Sequence, residues 1–361
     1  MKKIIIFYNF CVFLLLVFGF FSLFTVTHTA NLWKKQLIWV GLSIITYLII
    51  SFKIPHTIWE IVGGISYVIS VILLILVLII GIKVNGAKSW FNLYFMRFQP
   101  SEFSKVSLIL FLSTYLYHNI ENIKKIKTIL IYFCIAALPI FLIFLQPDLG
   151  TILTILPFII ILPFFAGFPS KYLIYSLIIF TIIFTISFPF IWKKMPVYQK
   201  NRILAFLYPE KYKLSKSYNV YQAQIAIGSG KLYGKGIFKG SQVNNKLLPA
   251  YYTDFIFAAI CEQVGFIGAI FILFLFFLLM LSMGLLCIFS SNLFAKFLTF
   301  AVMVLIGTHV IINIAVNLSL MPATGIPLPF FSYGGSFLFT IFLLLGIINN
   351  MHISFERMLF K

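Results

Sequence analysis

Ten apolar stretches recur along this chain, near residues 4–24, 35–51, 61–82, 101–117, 128–145, 149–166, 171–191, 254–281, 296–318 and 337–353. Each is close to the length of helix that crosses a hydrocarbon core. Backbone amides and carbonyls find no partner in lipid, so runs of this kind settle as helices. With 62% hydrophobic and only 10% charged residues the chain cannot cover its surface with polar groups, and lipid must be its solvent. The expectation is an all-α integral membrane protein of about ten transmembrane helices, a single polytopic domain over residues 1–361.

The first run follows Lys2 and Lys3 as the apolar part of a signal peptide would. It is about a bilayer thick and no A-x-A pattern follows it, so it reads as a retained first helix. Cys11, Cys134, Cys261 and Cys287 all fall inside apolar runs without metal-ligand spacing, and read as packing residues.

Ten spans place both termini on one side. With the termini cytoplasmic, that side carries ten of the 27 Lys and Arg residues, and the other side carries the larger share. Eleven of the latter crowd between Lys193 and Lys246: Lys193, Lys194, Lys200, Arg202, Lys211, Lys213, Lys216, Lys231, Lys235, Lys239 and Lys246. Long loops cross with little regard to charge; setting this one aside leaves ten against six, termini inside. Residues 193–253 therefore form one large cationic extracytoplasmic loop, with Glu210 as its only acid, and something anionic is expected to meet it. Acidic lipid headgroups are one answer and a charged substrate the other. The cations are not laid out as a basic, aromatic-laced face, so nucleic acid is not expected as a partner.

Only eight acids exist, and four of them, Glu60, Glu121, Glu210 and Glu356, sit in loops or chain ends beside cations. Glu102 and Lys105 are three apart on a predicted helix that opens with Pro100-Ser101, and point to one side as an ion pair would. Charges at membrane depth usually serve function. Asp148, in Gln146-Pro147-Asp148-Leu149-Gly150-Thr151, is placed to cap the following helix. Asp254 closes the cationic loop and opens an apolar run, with Glu262 further along the same helix. A carboxylate beside a dense cation cluster suits proton abstraction from a hydroxyl while cations hold a phosphate leaving group; a helix cap is the plainer alternative.

The run Gly228-Ser229-Gly230-Lys231-Leu232-Tyr233-Gly234-Lys235-Gly236 is rich in glycine and lysine but lacks the G-x-x-x-x-G-K-[ST] order, and is weak evidence for nucleotide binding. Residues 322–336, Pro322 through Pro327 and Pro329 to Ser336, cannot be regular helix. At membrane depth such a segment must pack against protein or line a cavity, so a re-entrant stretch near 321–336 is expected beside the site.

Taken together, five ordered motifs resemble the SEDS family of shape, elongation, division and sporulation proteins, represented by RodA and FtsW. They are Phe98-Gln99-Pro100-Ser101-Glu102-Phe103-Ser104-Lys105, Gln146 to Thr151, Ala226-Ile227-Gly228-Ser229-Gly230, Thr253-Asp254-Phe255-Ile256-Phe257-Ala258, and Pro327 to Ser336. The Gln-Pro-Asp-Leu-Gly turn and Gly240-Ser241-Gln242 resemble the RodA branch more than the division branch. Where relatives read Leu-Pro-Glu before His-Thr-Asp, this chain has Ala250 and Tyr252, and where they read Glu-Glu it has Glu262-Gln263.

The resemblance implies a peptidoglycan glycosyltransferase that polymerises lipid II during elongation and cell-shape maintenance, in the bacterial cytoplasmic (inner) membrane. By resemblance Asp254 is the catalytic aspartate, Glu102 and Lys105 a functional pair, Trp90 a residue of the preceding extracytoplasmic loop and Arg202 a recurrent loop arginine. Lys239 in the cationic loop and Ser332 in the re-entrant stretch complete the expected substrate-binding set. A divalent cation, magnesium or manganese, is a possible aid at the leaving pyrophosphate, with ligands unassigned. The implied partner is a class B penicillin-binding transpeptidase. A precursor flippase and a membrane scaffold for that transpeptidase remain as alternatives at this stage.

Overall fold

A computed structural model describes residues 1–28, 31–84, 87–93, 96–195, 197–212 and 217–359. Loop cations Lys213 and Lys216, and Lys361, lie outside them. Ten long helices coincide with the ten apolar runs: α1 Lys2–Thr27, α2 Leu32–Lys53, α3 Ile58–Ile80, α4 Pro100–His118, α5 Ile126–Leu145, α6 Leu149–Phe165, α7 Lys171–Lys194, α11 Ile256–Phe289, α12 Leu293–Asn317 and α13 Gly335–Leu359. Between α7 and α11 the cationic loop is itself folded, with α8 Val197–Leu207, α9 Tyr218–Ser229 and α10 Ser241–Asn244. Among the described residues seven helices, α1, α2, α3, α5, α11, α12 and α13, are long and apolar enough by composition alone to cross a membrane. The apolar α6 is shorter, and α4 carries the Glu102–Lys105 pair in its first turns.

A feature not foreseen from the sequence joins α3 to α4. Strands β1 Ile82–Val84, β2 Ala87–Leu93 and β3 Met96–Phe98 form an antiparallel sheet in the order β1-β2-β3. Lys88 ties it to the helix before it, its ammonium donating to the free carbonyls of Leu78 and Ile79 at 2.9 and 2.7 Å.

The ten helices alternate in direction, so the described residues among 28–31, 81–99, 146–148, 195–255 and 318–334 gather at one end of the bundle. The opposite end is stitched by buried side chains: Tyr8 donates to the Leu345 carbonyl at 2.9 Å, Trp59 Nε1 to Asn350 Oδ1 at 2.8 Å, and Thr299 meets His352 at 2.9 Å. These bonds fix α1, α3 and α12 around α13 where lipid offers no partner.

Helix α11 is not continuous. At Gly265 the backbone leaves helical geometry, with φ +68° and ψ −165°. The glycine-rich segment after α9 repairs the break: Lys235 N and Gly236 N donate to the carbonyls of Glu262 and Gln263 at 2.9 and 3.0 Å, and Phe266 N and Ile267 N donate to Lys231 and Leu232 at 2.9 and 3.2 Å. The stretch that superficially suggests a phosphate loop is thus a splint for a broken helix. A Cβ on Gly265 would overlap Gly234 N and the Leu232 carbonyl, and only glycine adopts this φ without strain. Gly265→Ala is therefore expected to cost about 2 kcal/mol or more, read as a lower thermal midpoint in detergent. A wild-type midpoint would show that the docked segment does not hold the break.

Candidate functional site

Asp254 lies in the turn just before α11, outside the membrane-spanning segments, and is partly buried. Its backbone is held from behind. The Asp254 carbonyl accepts from Asn313 Nδ2 and Asn317 Nδ2, both at 3.0 Å, while Asn317 Oδ1 accepts from Ala258 N at 3.1 Å in the first turn of α11. Asn317 thus caps α11 from another helix, satisfying an amide that the chain's own N-terminal turn leaves free. One residue earlier, the Thr253 carbonyl accepts from the Ser332 hydroxyl at 2.7 Å, and Tyr333 N donates to the Tyr252 carbonyl at 2.7 Å.

The irregular segment 318–334 wraps this turn, as expected of a re-entrant stretch that packs against protein. Ile326, Leu328, Phe330 and Phe331 are buried. Its carbonyls are used as acceptors: Ile326 O for Asn313 Nδ2 at 2.8 Å, Pro327 O for His309 Nδ1 at 3.2 Å, and Thr324 O for Arg202 Nη1 at 3.0 Å. Asp254 and Arg202 converge on Gly325. A Cβ there would lie 3.8 Å from Asp254 Oδ2 and 3.9 Å from either terminal nitrogen of Arg202. Arg202 comes from α8, whose Gln199 donates to the Pro147 carbonyl at 3.1 Å.

Burial lifts the Asp254 carboxyl above the ordinary range for aspartate, and the Arg202 charge and a hydrogen bond from Thr253 draw it partly back. The group is a stronger base than an exposed aspartate yet has a cation close by.

Glu102 and Lys105 meet as expected, Lys105 Nζ to Glu102 Oε1 at 2.8 Å, and both are buried, Lys105 at 2% exposure. The ammonium also approaches His309 Nε2 at 3.4 Å and stands 5.5 Å from the Phe337 ring centre. Asp148 caps α6 as its sequence position indicates, accepting from Thr151 N at 3.1 Å and Thr151 Oγ1 at 2.8 Å. It also accepts from Gln99 Nε2 at 2.9 Å, so one carboxylate ties the start of α6 to the start of α4.

The remaining expected site residues fall differently. Trp90 stands in β2 opposite Ile82, at the same end of the bundle. Lys239 is exposed on the outer turn of the cationic loop. Ser332, expected at the substrate, is 3% exposed; its one hydrogen goes to Thr253 O, and its oxygen accepts from Leu328 N at 2.8 Å. It clamps the re-entrant segment to the turn that bears Asp254.

His309, Asn313 and Asn317 are functional-site residues that the acids, cations and motifs of the sequence did not point to. Their spacing of four residues inside an apolar run puts one polar stripe on a single face of α12, and that was the available signal. Glu262 also acquires a role. Fully buried, it accepts from Lys235 Nζ at 2.6 Å, Ser241 Oγ at 2.9 Å and Gln242 N at 3.1 Å, and so latches the cationic loop to α11.

Among the described residues no three of His, Cys, Asp and Glu gather where they could hold a metal. Glu102 already faces an ammonium and Asp254 a guanidinium, so the side chains do not form a protein cage for magnesium or manganese.

Fold and site together define a multi-pass membrane protein whose buried polar groups converge, at one end of its helices, on a single basic carboxylate. A sequence model of the FtsW, RodA and SpoVE family, described as cell cycle protein, matches residues 2–357. Peptidoglycan glycosyltransferase MrdB of Escherichia coli K12 is 32% identical over 317 residues, covering 87% of this chain and 84% of that protein. Stage V sporulation protein E of Bacillus subtilis is 32% identical over 321 residues, covering 88% and 86%. Among solved structures, a chain from a peptidoglycan synthase complex that coordinates polymerization and crosslinking superposes with a TM-score of 0.82 at 27% identity, covering 96% and 97%. The rod shape determining protein RodA of Thermus thermophilus superposes at 0.71 with 25% identity, covering 96% of each chain. This chain belongs to the FtsW, RodA and SpoVE family, the SEDS family that its motifs resemble.

Glu262→Leu would leave the Lys235 ammonium, the Ser241 hydroxyl and the Gln242 amide without their acceptor. A loss of about 3 kcal/mol is expected, measured as a fall in thermal midpoint. A variant as stable as the wild type would show that the loop is held by other means.

Proposed function

We propose that this chain is a peptidoglycan glycosyltransferase of the elongation type, polymerising lipid II at the outer face of the bacterial cytoplasmic membrane. The observation that carries this reading is Asp254: a basic, partly buried carboxylate converging with Arg202, in a family whose Escherichia coli member is named for that activity. The Lys and Arg distribution supports cytoplasmic termini and an outer location for the end that bears Asp254.

In this reading Asp254 takes the proton from the acceptor sugar hydroxyl as its oxygen attacks the anomeric carbon of the donor. The carbon–oxygen bond to the polyprenyl pyrophosphate breaks, and the pyrophosphate leaves with the electron pair. Arg202, held on Thr324 O, balances charge on the departing group. Exposed Lys239 suits first contact with an anionic headgroup. Glu102 and Lys105 support the site from within the bundle, and Trp90 lies in the sheet at the same end. Ser332 serves by holding the Asp254 turn.

The synthase-complex relative supports a second property of the same chain, docking of a class B penicillin-binding transpeptidase that crosslinks the strands it makes. Enzyme and scaffold are compatible roles. Purified chain in detergent with lipid II separates the enzyme from a flippase: strands form with the wild type and not with Asp254→Ala. Strand formation by both alike would remove Asp254 from the chemistry.

The raised Asp254 carboxyl carries a sign for stability. An acid whose folded pKa lies above its unfolded value favours folding while protonated, and that contribution is lost as pH rises through the folded value. Wherever the carboxyl is ionised, its burial makes it a cost to the fold. Asp254→Asn is therefore expected to abolish polymerisation while leaving the neutral-pH thermal midpoint equal or higher; a marked fall would argue that the charge stabilises the fold.

Arg202→Gln removes the cation that lowers the Asp254 pKa. It is expected to move the acidic limb of the kcat/KM profile to higher pH, and a limb that stays in place would uncouple the pair.

A further inference from the structure

His309 lies 1% exposed in α12, one turn from Asn313, and the reaction scheme above gives it no part. Its two ring nitrogens have partners of fixed polarity. Nδ1 faces the Pro327 carbonyl at 3.2 Å, which can only accept, and Nε2 faces the Lys105 ammonium at 3.4 Å, which can only donate. Only one arrangement satisfies both: a neutral imidazole with its proton on Nδ1 and its lone pair turned to Lys105. A second proton on Nε2 would point at a buried cation.

The ring therefore bridges two parts of the site. On one side is the Glu102–Lys105 pair of α4; on the other is the re-entrant segment, whose next carbonyl, Ile326 O, shares Asn313 with Asp254. Phe337 closes the arrangement, with its ring 4.8 Å from the imidazole and 5.5 Å from the ammonium. Glu102 engages Lys105 through Oε1, and its buried Oε2 has no partner among the described residues, so the pair is not a closed structural ion pair.

We propose that His309 is a positioning residue for polymerisation, a neutral acceptor that aims the Lys105 ammonium and keys it to the segment wrapping Asp254. The proposal rests on the glycosyltransferase reading for its kinetic consequence, but not for its geometry.

Glutamine can reproduce both contacts with one acceptor and one donor, whereas leucine reproduces neither. In lipid II polymerisation by the purified full chain, His309→Leu is expected to lower kcat about tenfold with KM within about twofold, because an aim lost only in the transition state leaves binding alone. His309→Gln should stay within about threefold of wild type. A purely structural role would lower the folded fraction without changing kcat per folded molecule.

Because His309 acts through Lys105, Lys105→Met with His309→Leu should be no slower than Lys105→Met alone. Wild-type kcat in His309→Leu, a Gln variant no better than Leu, or a full additive loss in the double variant would each overturn the proposal.

A second measurement stands apart from activity. In histidine-labelled 15N spectra, the signal lost in His309→Gln should show a protonated Nδ1 and a bare Nε2. A proton on Nε2 overturns the proposal even if polymerisation proceeds. Absence of strands from the wild type, with the expected spectrum, would instead fail the polymerase reading and uphold the geometry.

Discussion

Backbone groups that leave helical geometry inside a bilayer must be satisfied by protein, and this constraint shapes the whole functional end of the chain. Among the described residues, two stretches packed against the helices need such partners, the segment 318–334 and the break at Gly265. The first is answered by side chains: His309, Asn313 and Arg202 donate to the carbonyls of Pro327, Ile326 and Thr324. The second is answered by backbone, with residues 231–236 pairing across the break. Asp254 lies between the two repairs, so the devices that make irregular chain tolerable are also those that position the carboxylate.

The same packing sets the chemistry. Burial raises the basicity of Asp254, while Arg202 keeps a cation beside it. The two effects oppose each other on the pKa but would cooperate in the proposed transfer, which needs a base on one reactant and a cation near the leaving group of the other. Stability is given up for this, since an ionised carboxylate in a partly dry turn opposes folding. The compensating bonds fall on its backbone, through Asn313 and Asn317.

Much of this was legible in the sequence, and the reason is the bilayer. Runs 4–24 through 337–353 had to be helices because lipid permits little else, and all ten are. With only eight acids in the chain, Asp148, Asp254 and the Glu102–Lys105 pair stood out against an apolar background. The sheet at 82–98 was not legible, because seven residues of β2 flanked by two three-residue strands carry too little period-2 signal. Ser332 was expected in the substrate-binding set, and the structure seats its hydroxyl on the Asp254 turn. Nothing local reveals that its hydroxyl reaches a carbonyl 79 positions away. The latch at Glu262 was hidden for the same reason, its partners lying 20 to 27 positions earlier in a loop read for net charge.

The distribution of charge types follows from where each must act. Cations at a solvated surface can exchange partners, so they crowd the loop, where long side chains cost little. A cation inside the bundle has no such freedom: Lys105, at 2% exposure, must have its hydrogens received by named groups. A carboxylate alone would fix its charge but not its direction, whereas a carboxylate and a neutral ring nitrogen on different helices define both. The stripe on α12 supplies that second direction and, one and two turns further along, the amides that hold Asp254. One helix face thus sets the interior cation and the surface base in a common frame, and a shift of α12 moves both together.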